Sequence, residues 1–119
     1  MVPMHTVLVL EDEDDLRESM RDLLEDNGYA VVAVRDGREA LDALPRIQHV
    51  CIVVLDLVMP QMNGWDFFDA MRAVPQMADV PVVVHSSAAA RAPAGVTRVL
   101  GKPLQPEKLL ATVREFCAP

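Results

Sequence analysis

The stretch VCIVVLDLVMPQMNG, residues 50–64, gives the clearest indication of the fold. Its first part, Val50–Leu55, is an unbroken aliphatic run of strand length, and Asp56 follows directly. Unbroken apolar runs are typical of strands that are covered on both faces, as in a parallel sheet between two layers of helices. The stretch therefore predicts a buried strand that carries an aspartate at its carboxyl end.

Similar runs recur along the chain and alternate with segments of helical period. Strands are predicted at residues 6–10, 30–34, 50–55 and 80–84, with a weaker fifth at residues 98–100. Helices are predicted at residues 16–24, 36–44, 65–71 and 106–116, because apolar residues recur there at intervals of three or four. This alternation predicts a doubly wound α/β fold, and residues 1–119 are expected to form a single domain.

The connection between the fourth and fifth strands differs from the others. It reads SSAAARAPAGVT, residues 86–97, and its alanines could form about one helical turn. Pro93 and Gly95 discourage a longer helix, because proline lacks a backbone donor and glycine costs conformational entropy. The helix expected at this point in a doubly wound fold is therefore predicted to be short or absent.

The composition excludes several classes of function. A net charge of −7 and an aromatic content of 4% argue against a nucleic-acid-binding surface. No apolar run is long enough to cross a bilayer, and the first residues, MVPMHT, do not resemble a signal peptide. Cys51 lies inside an apolar run, where a buried free thiol is expected. These features together predict a cytoplasmic protein that does not contact membranes.

Polar residues follow the carboxyl ends of the predicted strands, where open α/β sheets bind their ligands. Carboxylates that meet at such a rim repel one another, and a hard divalent cation such as Mg²⁺ relieves that repulsion. A carboxylate beside the cation can act as a nucleophile, while lysine and serine can contact phosphate oxygens. The rim residues are Glu11, Asp12, Asp56, His85, Ser86, Ser87 and Lys102.

Four pieces of the sequence resemble the receiver domains of two-component response regulators, the CheY-like superfamily. They are VLVLEDE, VVLDLVMPQMNGWDF, VPVVVHSS and LGKPL, and the resemblance extends along almost the whole chain. It implies a flavodoxin-like sheet with the strand order 2-1-3-4-5. It also implies a phosphorylation-controlled signalling module that accepts a phosphoryl group from the histidine of a sensor kinase or of a histidine phosphotransfer protein.

The resemblance assigns a role to each matching residue. Asp56 is the expected phosphoacceptor, and Ser86 and Lys102 are expected to contact the phosphoryl group. Glu11, Asp12, Asp56 and the backbone carbonyl of Val58 are the expected ligands of Mg²⁺. Small donors such as acetyl phosphate are also expected to serve. The expected catalysis is limited to self-phosphorylation and self-dephosphorylation, and the expected output is contact with a protein effector.

Structural explanations compete with some of these roles. Glu13, Asp14 and Asp15 are interpreted as favourable charges at the amino end of a helix rather than as ligands. His85 is interpreted as a strand-end residue. Ser86 could be a helix cap, and Lys102 could be a solvated side chain.

The sequence departs from the family pattern at two places that concern how a receiver passes its signal to a partner protein. Sixteen positions separate Ser86 from Lys102, about one helix fewer than in most receivers. Val99 stands where most receivers carry an aromatic ring that swings inward when phosphate engages the hydroxyl. We therefore expect this chain to signal through a surface other than the usual one, which is formed by the fifth strand and its flanking helices.

Two other functions remain open. One is an unphosphorylated pseudo-receiver that acts as a constitutive interaction domain. The intact Asp56, Ser86 and Lys102 count against it, whereas the shortened connection before the fifth strand keeps it open. A Mg²⁺-dependent phosphatase with an aspartate nucleophile would generally need a second acid two residues after Asp56. That position is Val58, which disfavours the phosphatase.

Overall fold

The computed structural model of the chain describes residues 5–86, 91–101 and 103–117. Within these residues, five strands form one parallel sheet. They are β1 (Thr6–Leu10), β2 (Ala30–Val34), β3 (Val50–Leu55), β4 (Val82–His85) and β5 (Arg98–Leu100). The order is β2-β1-β3-β4-β5, which confirms the predicted flavodoxin-like topology.

Helices cover both faces of the sheet in the described part of the chain. They are α1 (Asp14–Asp26), α2 (Gly37–Ala43), α3 (Gly64–Arg72) and α4 (Pro106–Phe116). α1 and α4 pack on one face, and α2 and α3 pack on the other. None of the described helices is long and apolar enough to span a membrane.

The apolar runs form strands because both of their faces meet a helix layer. Every residue of β1 and β3 is buried, and successive side chains enter opposite cores from Val7 to Leu10 and from Ile52 to Leu55. Leu8 and Leu10 of β1 face α2 and α3, whereas Val7 and Val9 face α1 and α4. This two-sided burial explains why the strands show no polar alternation.

Local sequence signals set the ends of the helices. Asp36 accepts a hydrogen bond from the backbone N–H of Glu39 at the start of α2, and Asn63 does the same for Asp66 at the start of α3. Gly28 adopts a φ of 93° just after α1, a conformation that glycine adopts at little cost. The two side-chain caps thus mark where α2 and α3 begin, and Gly28 marks where α1 ends.

The crossover from β4 to β5 has no α-helix in its described residues, 86 and 91–97, as predicted. Side chains of α3 hold it instead. The indole Nε1 of Trp65 donates to the carbonyl of Arg91 at 2.8 Å. Ala92 and Val96 pack against the core on the α2 and α3 side, so they cover a face that a helix would otherwise cover.

The two cysteines correct a prediction from the sequence. Cys51 was expected to be a free thiol, but it forms a disulfide with Cys117, with 5.6 Å between their Cα atoms. A bulge between β1 and β3 makes Cys51 an additional residue opposite the pair Thr6 and Val7. Cys51 therefore faces α4, whose carboxyl end carries Cys117.

We predict that reduction of the Cys51–Cys117 disulfide destabilises the domain. The bond joins residues 66 positions apart. A loop of this length implies about 4 kcal/mol of the free energy of unfolding on the chain-entropy model. Urea denaturation with and without dithiothreitol measures the effect, and the double variant Cys51→Ser/Cys117→Ser should not respond to the reductant. Two titratable thiols in the unreduced, denatured protein would contradict the prediction.

Candidate metal centre

Three carboxylates meet at the carboxyl rim of the sheet. One oxygen from each of Glu11, Asp12 and Asp56 lies within 4.8 Å of the others. Strand register brings them together, because Leu10 pairs with Leu55 and the backbone N–H of Asp56 donates to the carbonyl of Leu10 at 3.1 Å. Residues 45 positions apart in the sequence thus become neighbours, as predicted from their places after β1 and β3.

The three acids differ in exposure. Glu11 and Asp56 retain only 1% and 3% of their accessible surface, whereas Asp12 is exposed. Two buried carboxylates beside a third repel one another strongly, since little water screens their charge. An all-oxygen donor set of this kind suits a hard divalent cation such as Mg²⁺. The residues therefore fit the cofactor that the sequence predicted.

The β1–α1 turn fixes Glu11 through its backbone and its side chain. The backbone N–H of Glu11 donates to the carbonyl of Val34 at 3.0 Å, and the backbone N–H of Glu13 donates to Oε2 of Glu11 at 3.0 Å. Arg17 donates from Nη1 to the carbonyl of Glu11 at 3.0 Å and from Nη2 to Asp14 at 2.6 Å. The hydrogen bond from Arg17 holds the pKa of the Asp14 carboxyl below its usual value.

The acidic run after β1 divides between the rim and the helix, as predicted. Glu13 is the residue that precedes α1, and Asp14 and Asp15 lie in its first turn. Carboxylates in this position interact favourably with the partial positive charge of the helix end. Only Glu11 and Asp12 of the five consecutive acids join the cluster with Asp56 among the described residues.

The loop after β3 also contacts the Asp56 carboxylate. The backbone N–H of Val58 donates to Oδ1 of Asp56 at 3.2 Å. The backbone N–H of Gly64 donates to the carbonyl of Leu57 at 2.9 Å and closes the loop onto the start of α3. The side chain of Val58 is itself 57% exposed.

His85 and Ser86 bring β4 to the same rim. His85 follows Val84, which pairs with Leu55, so His85 lies in one cross-strand row with Asp56. Its Nε2 atom lies 3.7 Å from Oε1 of Glu11, and both side chains are shielded from solvent. Ser86 is also buried. The sequence interpretation of His85 as a strand-end residue holds for its position but missed its contact with Glu11.

One predicted site residue is not described, and one residue that contacts the site was not predicted. Lys102, the predicted phosphate-binding lysine, lies outside the described residues. Arg17 was not singled out from the sequence at all. Its charge and its place one turn into α1 are ordinary for a helix surface, and only the fold of the turn reveals its bond to Glu11.

Comparison with known proteins identifies the family. Residues 7–114 match the response regulator receiver domain. The chain belongs to this family. It is 37% identical over 114 residues to response regulator MprA of Mycolicibacterium vanbaalenii, a match that covers 91% of this chain and 48% of MprA. The receiver therefore spans about half the length of that relative.

Two further relatives match over most of their own length. An uncharacterized 14.6 kDa protein of Leptolyngbya boryana is 30% identical over 117 residues, which cover 93% of this receiver and 88% of that protein. The chemotaxis protein CheY4 of Vibrio cholerae has a solved structure with a TM-score of 0.84 at 29% identity, covering 96% of this chain and 99% of that one. The structural match to CheY4 agrees with the receiver fold.

We predict that Gly64→Ala disturbs the loop that follows Asp56. A Cβ atom at Gly64 would lie 2.6 Å from the carbonyl oxygen of Asp56 and 2.6 Å from Cα of Leu57, so the backbone would have to move. The expected loss is about 1–3 kcal/mol of the free energy of unfolding, measured by urea denaturation.

Gly101→Ala is the matched control, because a Cβ atom there meets nothing within 4 Å. Its stability should stay within about 0.5 kcal/mol of the parent protein. Equal stability of the two variants would show that the close approach at Gly64 does not constrain the loop.

Proposed function

We propose that this receiver accepts a phosphoryl group on Asp56 and that the modified state controls contact with a protein effector. The observation that carries the proposal is the cluster of Glu11, Asp12 and Asp56 at the sheet rim, with Ser86 at the end of the neighbouring strand. A phosphoacceptor needs a fixed carboxylate, neighbouring groups that bind phosphate oxygens, and a way to offset negative charge. The N–H of Val58 orients the Asp56 carboxylate. The carboxylates of Glu11, Asp12 and Asp56 could hold a cation that offsets negative charge.

Mg²⁺ is the cofactor in this proposal, and Glu11, Asp12, Asp56 and the carbonyl of Val58 would hold it. When bound, it would offset the charge of the carboxylates and of the incoming phosphoryl group. The fit rests on the oxygen donors that lie within 4.8 Å of one another. Glu11 in place of the more usual aspartate adds one methylene, and we expect metal binding to tolerate it.

Asp56 would act as the nucleophile. One of its carboxylate oxygens forms a bond to phosphorus while the bond from phosphorus to the donor's histidine nitrogen breaks, and the electron pair of that bond stays on nitrogen. The N–H of Val58 donates to Oδ1 of Asp56 and would keep the carboxylate oriented during this transfer. Ser86 and Lys102 would contact the transferred phosphoryl oxygens.

The proposed donors are the histidine of a sensor kinase or of a histidine phosphotransfer protein, and small donors such as acetyl phosphate. Turnover would be limited to self-phosphorylation and self-dephosphorylation.

The exclusion of nucleic acid and membrane as partners stays a prediction from the charge and from the apolar pattern. So does the single-domain organisation of residues 1–119.

A cytoplasmic location also stays a prediction. The free thiol once expected at Cys51 supported it, and the disulfide with Cys117 removes that support. Structural disulfides are rare in reducing compartments. The state of this bond in cells would therefore report on the compartment.

The proposal predicts a labile adduct on Asp56. The protein is mixed with Mg²⁺ and acetyl phosphate, and intact mass and phosphate release are followed over time. We expect the mass to rise by one phosphoryl group, and the Asp56→Asn variant should show no adduct because an amide is a poor nucleophile. An unmodified wild-type protein would instead support a pseudo-receiver, and rapid turnover of external phosphoesters would support a phosphatase.

Asp12 and Asp15 form a matched pair of controls for the metal. Both are exposed acids near the start of α1, but only Asp12 belongs to the carboxylate cluster. Asp12→Ala should abolish Mg²⁺-dependent phosphorylation, while Asp15→Ala should leave it nearly unchanged. Equal effects would mean that the acidic run had been divided in the wrong place.

We further propose that output leaves through α3 and the β4–β5 crossover. The loop from Asp56 leads into α3, and Trp65 of α3 holds the carbonyl of Arg91 in the crossover. Val99 is 42% exposed and has no ring that could swing inward. A structural change in the loop after Asp56 or in the crossover would therefore be passed to α3.

This proposal predicts where spectra change on phosphorylation. The indole N–H resonance of Trp65, the only tryptophan of the chain, should shift more than the amides of α4, and Trp65→Phe should reduce the response of the crossover amides. Phosphorylation should not create a dimer through β5 and α4, as checked by light scattering and by chemical shifts at that face. A phosphorylation-dependent dimer built on β5 and α4 would contradict the proposal.

A further inference from the structure

Arg17 occupies an unusual position for a charged residue of a surface helix. Its side chain is only 13% exposed, whereas that of its partner Asp14 is 77% exposed. The guanidinium bridges two groups at once, since Nη1 donates to the carbonyl of Glu11 and Nη2 donates to the Asp14 carboxylate. A planar guanidinium suits such a bridge, because its N–H groups point in fixed directions.

The bridge closes the turn that carries two of the three acids. Glu11 is anchored on its N–H side by the carbonyl of Val34 and on its carbonyl side by Arg17, six residues further along the chain. Asp12 follows directly, so its backbone begins at the carbonyl that Arg17 holds. Arg17 reaches this carbonyl from the first turns of α1 and couples the helix to the acidic turn.

We propose that Arg17 is a positioning residue for the divalent cation, and this inference rests on the proposed function. By fixing the carbonyl of Glu11, it sets the direction in which the Glu11 and Asp12 carboxylates leave the turn. Its positive charge also lies beside the acidic turn and lowers the repulsion between the carboxylates when no cation is bound. That charge alone would oppose Mg²⁺ binding, so the positioning role rests on the bond to the Glu11 carbonyl. Asp14 holds the guanidinium in place and is not itself a ligand.

Arg21 provides a matched control on the same helix. It pairs with Glu18 at 3.6 Å in the same i, i+3 arrangement that joins Arg17 to Asp14. Arg21 lies one turn further from the rim, and its described ion pair is with the helix rather than with the acidic turn. Loss of either arginine removes one charge and one helix ion pair, but only Arg17→Met removes the bond to Glu11.

The test measures Mg²⁺ binding by isothermal titration calorimetry on the unphosphorylated full chain. Groups that orient metal ligands typically change metal affinity by about 10-fold or more when they are lost. Arg17→Met should therefore weaken Mg²⁺ affinity about 10-fold. Arg17→Lys should fall between Arg17→Met and the wild type, and Arg21→Met should stay within about twofold. Circular dichroism melts confirm that each variant is folded.

Phosphorylation by acetyl phosphate supplies a second readout. Raising Mg²⁺ should restore the rate of the Arg17→Met variant towards that of the wild type, because the defect lies in cation affinity rather than in the nucleophile. A folded Arg17→Met variant with wild-type Mg²⁺ affinity would overturn the positioning role, as would equal weakening in Arg21→Met or no Mg²⁺ binding by the wild type. If the wild type binds Mg²⁺ and Arg17→Met weakens it, but Asp56 takes no phosphoryl group, the positioning role stands and the proposed function fails.

Discussion

The register between β1, β3 and β4 is the constraint on which the site depends. Leu10 pairs with Leu55 and Leu55 pairs with Val84, so the next residue of each strand reaches the rim at the same level. Those residues are Glu11, Asp56 and His85, and all are buried. Burying two carboxylates in one row disfavours folding unless nearby donors or a cation offset their charge. The turn after β1 and the loop after β3 supply such donors through the N–H groups of Glu13 and Val58.

Much of the fold was predictable because its strands are buried on both sides. An aliphatic run such as Val50–Leu55 has few alternatives to a central parallel strand, and the residue after it must lie at the rim. Asp56 and the acids after β1 could therefore be placed from the sequence. The bond from Arg17 to Glu11 could not be, because it depends on the path of a turn whose backbone the residue pattern does not specify. The contact between His85 and Glu11 likewise depends on register across β3.

The cysteine prediction was wrong for a related reason. Residue spacing placed Cys51 in a buried strand, where a free thiol is the ordinary state. The bulge opposite Thr6 and Val7 gives β3 one additional residue, and Cys51 and Ile52 consequently both face the core of α1 and α4. Cys117 follows α4 at the same end of that core. A one-residue bulge in the pairing of β1 with β3 therefore turns Cys51 towards Cys117, so that the two cysteines can form a disulfide.

Contacts with α3 replace the packing that a helix in the β4–β5 crossover would otherwise supply. A parallel connection needs a covering layer on its face of the sheet, and the described residues of the crossover include no α-helix that could supply it. α3 takes over this role through Trp65, and through Phe68, which approaches Gly95 closely enough that a Cβ atom there would lie 3.6 Å from its ring. α3 also begins at Gly64, where the loop from Asp56 ends. α3 therefore contacts both the loop that follows β3 and the crossover that follows β4. One helix thus connects the two chain segments that leave the rim beside the carboxylates.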